Sequence, residues 1–134
     1  MEGIELIKIE PFADERGLLK KVFKKSFFDI NSQAEEAYVL YSHKGSVRGN
    51  HYHKINTECF FIISGTAKVA IQNIKTGYYH EMEVDYKDNI LIKVHPFMAH
   101  AFKNEKDEEL IILAVATKQY DPLDKDTYKL DILK

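Results

Sequence analysis

"GSVRGNHYHKINTECFFIISG", residues 45–65, opens and closes on glycine and sets two of the chain's six histidines two positions apart. In an extended chain residues i and i+2 project to the same face, so His51 and His53 stand side by side. Glu58 follows, as the first residue of an apolar run whose aromatic and β-branched content reads as a strand. A two-residue hairpin turn at Ser64–Gly65 sets Phe60 opposite Val69 and Glu58 opposite Ile71. Glu58 then begins on an otherwise apolar, inward face, where a bare carboxylate is costly. Two neighbouring imidazoles, or a cation shared with them, supply its partner. Two nitrogens and an oxygen suit Zn, Fe, Mn, Ni or Co, with a fourth ligand from elsewhere. His100, in "HPFMAHAFKN" (95–104), is the natural fourth, and His80 and His95 are weaker candidates.

Outward from this stretch, period-two segments dominate. "IELIKI" (4–9), "LLKKVF" (18–23), "AYVLYS" (37–42), "ECFFII" (58–63), "TAKVAIQNI" (66–74), "YYHEMEV" (78–84), "NILIKV" (89–94) and "ELIILAVA" (109–116) read as short strands. Further turns are expected at Lys75–Thr76–Gly77 and Asp88–Asn89, and the one helical turn at Asn31–Glu36, capped by Asn31 or Ser32. This spacing predicts one all-β domain over residues 1–134, a sandwich or barrel of jelly-roll type. At 134 residues, 45% hydrophobic and 30% charged, the chain can bury a core without staples. A net charge of −2 with no basic block argues against nucleic acid as a partner. The single cysteine, Cys59, leaves no internal disulfide and fits a reducing, cytoplasmic setting. The acidic, alternating N-terminus argues against a signal peptide, and the absence of a long apolar run argues against a membrane span.

Residues 45–65 match the first cupin motif, G-x5-H-x-H-x4-E-x6-G, at every defined position. Residues 89–104 resemble the second, G-x5-P-x-G-x2-H-x3-N, with Asn89, His95 and Phe97 standing for its glycine, proline and glycine. Asparagine tolerates a left-handed backbone; Phe97 is expected to narrow the pocket or shift the loop. The resemblance spans nearly the whole chain and implies a cupin-type jelly-roll β-barrel. "PFADERGLL" (11–19) resembles the opening of dTDP-4-dehydrorhamnose 3,5-epimerases. "SVRGNHYHK" (46–54) resembles both that family and the sugar 3,4-ketoisomerases. "QYDPLDKDTY" (119–128) resembles the end of the C-terminal cupin domain of bifunctional capsular-polysaccharide enzymes.

The resemblance implies an isomerase acting on a dTDP- or UDP-linked 4-keto-6-deoxy sugar. It places the base on His51 with His53 beside it, and a functional tyrosine at Tyr38. It sets Arg48 near the substrate, plausible for the diphosphate, where a fork of donors suits phosphate oxygens. It implies a divalent ion, zinc or nickel by default, on His51, His53, Glu58 and His100, and no organic cofactor. The catalytic lysine of the rhamnose epimerases falls on Phe61 here, so their mechanism does not carry over whole. Arg48 has the opposite parity to His51 and reaches the pocket only if the chain turns or bulges near Gly49. Lys68, Cys59, Glu35–Glu36 and "KNEKDEE" (103–109) read as outward or solvated. A homodimer is expected, with Met1–Ile9 in its interface, because "IELIKI" resembles an exposed edge strand. Another metal-dependent cupin and a non-catalytic sugar-binding module are the alternatives.

Overall fold

The computed structural model describes residues 3–28 and 33–134. Among them the strands are β1 (Ile4–Lys8), β2 (Phe12–Asp14), β3 (Gly17–Leu19), β4 (Glu36–Ser42), β5 (Val47–Tyr52), β6 (Glu58–Ser64), β7 (Thr66–Asn73), β8 (Tyr79–Asp85), β9 (Ile90–Val94), β10 (Met98–Lys103), β11 (Leu110–Ala116) and β12 (Tyr128–Lys129). Two five-stranded antiparallel sheets form, ordered β1-β9-β6-β11-β4 and β12-β5-β10-β7-β8, beside the small β2–β3 hairpin. From β4 to β12 the chain changes sheet at every step except β7 to β8. That winding is a jelly roll, as the spacing predicted.

The expected Ser64–Gly65 hairpin is not formed. β6 pairs with β9 and β11, whereas β7 pairs with β8 and β10 in the other sheet. Gly65 is instead the corner between sheets. Its φ of +83° and the 2.7 Å from a notional Cβ to the Glu109 carbonyl oxygen leave room for glycine alone. Glu58 still faces inward, because Phe60 and Ile62 on its side of β6 enter the core between the sheets with Val69 and Ile71. Cys59 and Phe61 face the other way, yet they too are buried, beneath Ile9 and Phe28. Cover on both faces explains why β6 is an unbroken apolar run. Burial pushes the Cys59 thiol up to about 12, which fits a residue with no redox work.

Other departures have local causes. The run 18–23 yields only β3, and no α-helix occurs among the described residues. Asn31 and Ser32 of the expected helical turn, and Met1 and Glu2 of the expected dimer strand, lie outside the described residues. Glu36 starts β4. The C-terminal tail lies on the outside of the second sheet, where Leu133 packs on Ala70 and Ala101. Asn50 fastens it, donating to the Leu133 carbonyl and accepting from the Ile132 and Leu133 N–H groups. No helix among the described residues is long and apolar enough to cross a membrane.

Candidate functional site

β5 and β10, the strands that carry His51 and His100, place these two residues opposite each other. Between His100 and Ala101 the partner shifts from His51 to Gly49, so Asn50 bulges out. The bulge rests on positive φ at Gly49 (91°) and Asn50 (56°). A Cβ on Gly49 would sit 2.6 Å from the His100 carbonyl oxygen. His53 follows two residues after His51, and Glu58 heads β6 in the other sheet. The imidazole centroids lie 4.8 Å (His51–His100), 5.0 Å (His51–His53) and 5.5 Å (His53–His100) apart. One donor atom from each of His51, His53, Glu58 and His100 falls within 4.8 Å of all the others. All four side chains named from the sequence therefore converge.

Hydrogen bonds fix the tautomers. His53 Nδ1 lies 2.5 Å from the Asp126 carbonyl oxygen, and His100 Nδ1 lies 3.2 Å from that of Met98. A carbonyl only accepts, so both Nδ1 atoms carry hydrogen and both Nε2 atoms are left for other partners. These buried Nε2 atoms have no hydrogen-bond partner among the described residues. His53 Nε2 is 2.6 Å from Glu58 Oε1 but lacks the alignment that a hydrogen bond needs. The other carboxylate oxygen accepts from the Tyr38 hydroxyl at 2.5 Å. Two orphaned nitrogens, a third imidazole and a carboxylate form a donor set that fits a divalent ion.

Burial, helped by the charge of His53, lowers the pKa of His51, and burial takes His100 down to about 3. Both are therefore neutral near pH 7. For His53 burial also favours the neutral form, but the Glu58 carboxylate and the Asp126 carbonyl outweigh it and raise the pKa. Glu58 is the mirror case: burial raises its pKa, and His53, His100 and Tyr38 together pull it below the ordinary value. Burial and the Glu58 charge hold the Tyr38 phenol well above its usual range.

The site opens into a cavity of about 420 Å³. Tyr38, His51, His53 and Glu58 line its inner part, and Glu36 with residues 118–127, a C-terminal strap, supply the mouth. No periodicity in the sequence marks this strap, and Glu36, expected as a surface charge, stands at the mouth. Glu36 accepts from the Tyr120 N–H at 3.1 Å, and Glu35 from the Gln119 N–H at 3.0 Å, so the pair anchors one end of the strap. Asp126 anchors the other, accepting from the N–H groups of Lys54, Ile55 and Asn56 at 2.8, 3.0 and 2.8 Å. The one available signal was the "YDPLDKDTY" stretch, which has no periodicity.

The remaining candidates fall elsewhere. The bulge turns Arg48 to the side of its partner Phe102, a core residue. Its guanidinium nevertheless ends on the Tyr41 carbonyl at 2.9 Å, at the opposite end of β4 from Glu36, and it does not line the cavity. His95 pairs with Glu5 at 2.6 Å, and His80 stacks on Tyr78; neither is in the donor cluster. Phe97 keeps a left-handed φ of 67°, standing in for glycine, but its ring lies under Lys75 and does not narrow the cavity. Asn104, expected in a solvated loop, is buried and donates to the carbonyls of Ser42 and Glu108.

Comparison with known proteins agrees with this fold. The chain is 29% identical over 91 residues to the UDP-2-acetamido-2,6-beta-L-arabino-hexul-4-ose reductase of Pseudomonas aeruginosa, covering 68% of this chain. It spans about a quarter (24%) of that curated relative's length. It superimposes on dTDP-4-dehydrorhamnose 3,5-epimerase from Sulfolobus tokodaii with a TM-score of 0.80 at 27% identity, covering 92% of this chain and 75% of that one. The capsular polysaccharide assembling protein CapF of Staphylococcus aureus shares the fold, with a TM-score of 0.70 at 21% identity over 94% of this chain and 33% of that one. Residues 12–128 match the family model for the polysaccharide biosynthesis C-terminal domain, and the chain belongs to that family.

Proposed function

We propose that this chain is a sugar isomerase, an epimerase or 3,4-ketoisomerase, acting beside the ketone of a dTDP- or UDP-linked 4-keto-6-deoxy sugar in polysaccharide biosynthesis. The observation that carries this reading is His51, an imidazole kept neutral by burial on the wall of a cavity of about 420 Å³. Likeness to an epimerase of a dTDP-linked keto sugar and to a UDP-sugar reductase supports the substrate class.

His51 accepts the proton from the carbon next to the ketone, and negative charge develops on the ketone oxygen. His53, whose pKa the Glu58 carboxylate raises, stands beside His51 to meet that charge. The cavity wall screens that charge less than bulk water does. Tyr38 returns a proton. In the geometry observed its hydroxyl points at Glu58, so it must swing away from that oxygen to deliver one. Delivery to the opposite face inverts the carbon. Delivery to the neighbouring carbon, with a hydroxyl proton passing between the oxygens, moves the ketone. A divalent ion held by His51, His53, Glu58 and His100 would, when bound, polarise the ketone as a Lewis acid.

Incubation with dTDP- and UDP-4-keto-6-deoxy sugars in deuterated water, read by NMR, tests the reading. Deuterium should enter at C3 or C5 with the native protein and not with His51→Asn, since His51 is either base or ligand. Binding of the sugars without uptake would establish a sugar-binding module instead.

A further inference from the structure

We propose that the substrate's diphosphate binds outside the acidic mouth, in a neighbouring groove against Lys125 and Lys129; this rests on the isomerase reading above. The groove has a volume of about 440 Å³ and shares His51, Tyr120 and Thr127 with the main cavity. The two spaces are thus contiguous at the catalytic histidine, and their charges differ in sign. The cavity mouth presents Glu36, Asp121, Asp124 and Asp126, with Lys118 committed to Asp124 at 3.6 Å. The groove presents Lys125 and Lys129, with Asp131 alone as countercharge, 4.0 Å from Lys129. Lys125 has no ion pair among the described residues.

Register fixes the relation to the site. Lys129 on β12 is the partner of His51 on β5, so the two side chains leave the same face of the sheet. A sugar whose reacting carbon lies at His51 extends its anomeric phosphate towards the opening. On one side that diphosphate meets carboxylates, and on the other two ammonium groups that suit phosphate oxygens. Arg48, the cation on β5, is held on the Tyr41 carbonyl away from the cavity.

Calorimetric titration of the full chain with UDP, dTDP and uridine tests the assignment. The native protein should bind UDP or dTDP more tightly than uridine, and less so as salt rises. Lys125→Ala with Lys129→Ala should weaken nucleoside diphosphate binding by about tenfold or more, leave uridine unchanged and raise KM without lowering kcat. Lys125→Arg with Lys129→Arg should retain binding. Lys44→Ala, at an exposed pair with Asp107, should change nothing. Unchanged diphosphate affinity in the double alanine variant, or no diphosphate binding by the native protein, overturns the assignment. Deuterium exchange with a KM that ignores both lysines removes the subsite and leaves the isomerase reading standing. Lysine-dependent UDP binding without exchange does the reverse.

Discussion

Glu58 is 3% exposed and is met by Tyr38 on one oxygen and His53 near the other. Its need for a partner followed from sequence, because a carboxylate on an apolar face cannot stay bare. The hydroxyl of Tyr38 could not be assigned that way: it reaches Glu58 only because β4 and β6 both flank β11, with Tyr38 and Phe60 opposite Ala114. Tyr38→Phe should therefore act twice. Proton return is lost, so turnover falls while metal content measured by elemental analysis is unchanged. The Glu58 oxygen loses its donor inside the protein, which should cost about 1–3 kcal/mol, seen as a lower urea midpoint. Normal turnover in this variant would remove Tyr38 from the reaction.

The corner and the strap are where single elements decide the outcome. Gly65→Ala should destabilise by at least about 2 kcal/mol in urea, because it adds a left-handed penalty to a collision with the Glu109 carbonyl. The strap depends on Asp126. Burial raises the pKa of that carboxyl, but the N–H groups of Lys54, Asn56 and Ile55, with His53, outweigh burial and leave it lowered. A lowered folded-state pKa means that the stabilisation is fully present above the unfolded value, about 3.9. It is lost as pH falls through the lower folded value. Amide exchange at Lys54, Ile55 and Asn56 should accordingly be protected at pH 6 and lose protection in Asp126→Asn at the same pH. Unaltered protection in that variant would show that the strap is held elsewhere. Strands β1, β4, β6, β7, β8, β9 and β11 were legible from alternation or apolar runs. β5, β10 and the strap were not, because their glycine, asparagine, histidine and proline content hides extended structure from a periodicity search.

At the scale of the whole molecule, β1 ends one sheet with its outer edge unpaired among the described residues and leaves Leu6 45% exposed. An open strand edge templates pairing, and a homodimer through β1 is the expected state; a monomer mass by light scattering at micromolar concentration would exclude it. Bringing Glu58 and His100 to the same point took the pairing of β5 with β10 and the facing of β6 from the other sheet, whereas the β-rich fold class and the shared face of His51 and His53 were determined by the sequence itself, through alternation and spacing. Those are short-range facts: parity along a strand sets which side chains share a face, whatever lies across from them. What Arg48 touches, that Gly65 is a corner, that Glu36 guards a mouth and that Lys129 stands beside His51 were decided only in the tertiary structure. Each depends on which distant strands become neighbours, and the facing of Arg48 also on the one-residue bulge at Asn50, which reverses the face assignments beyond it.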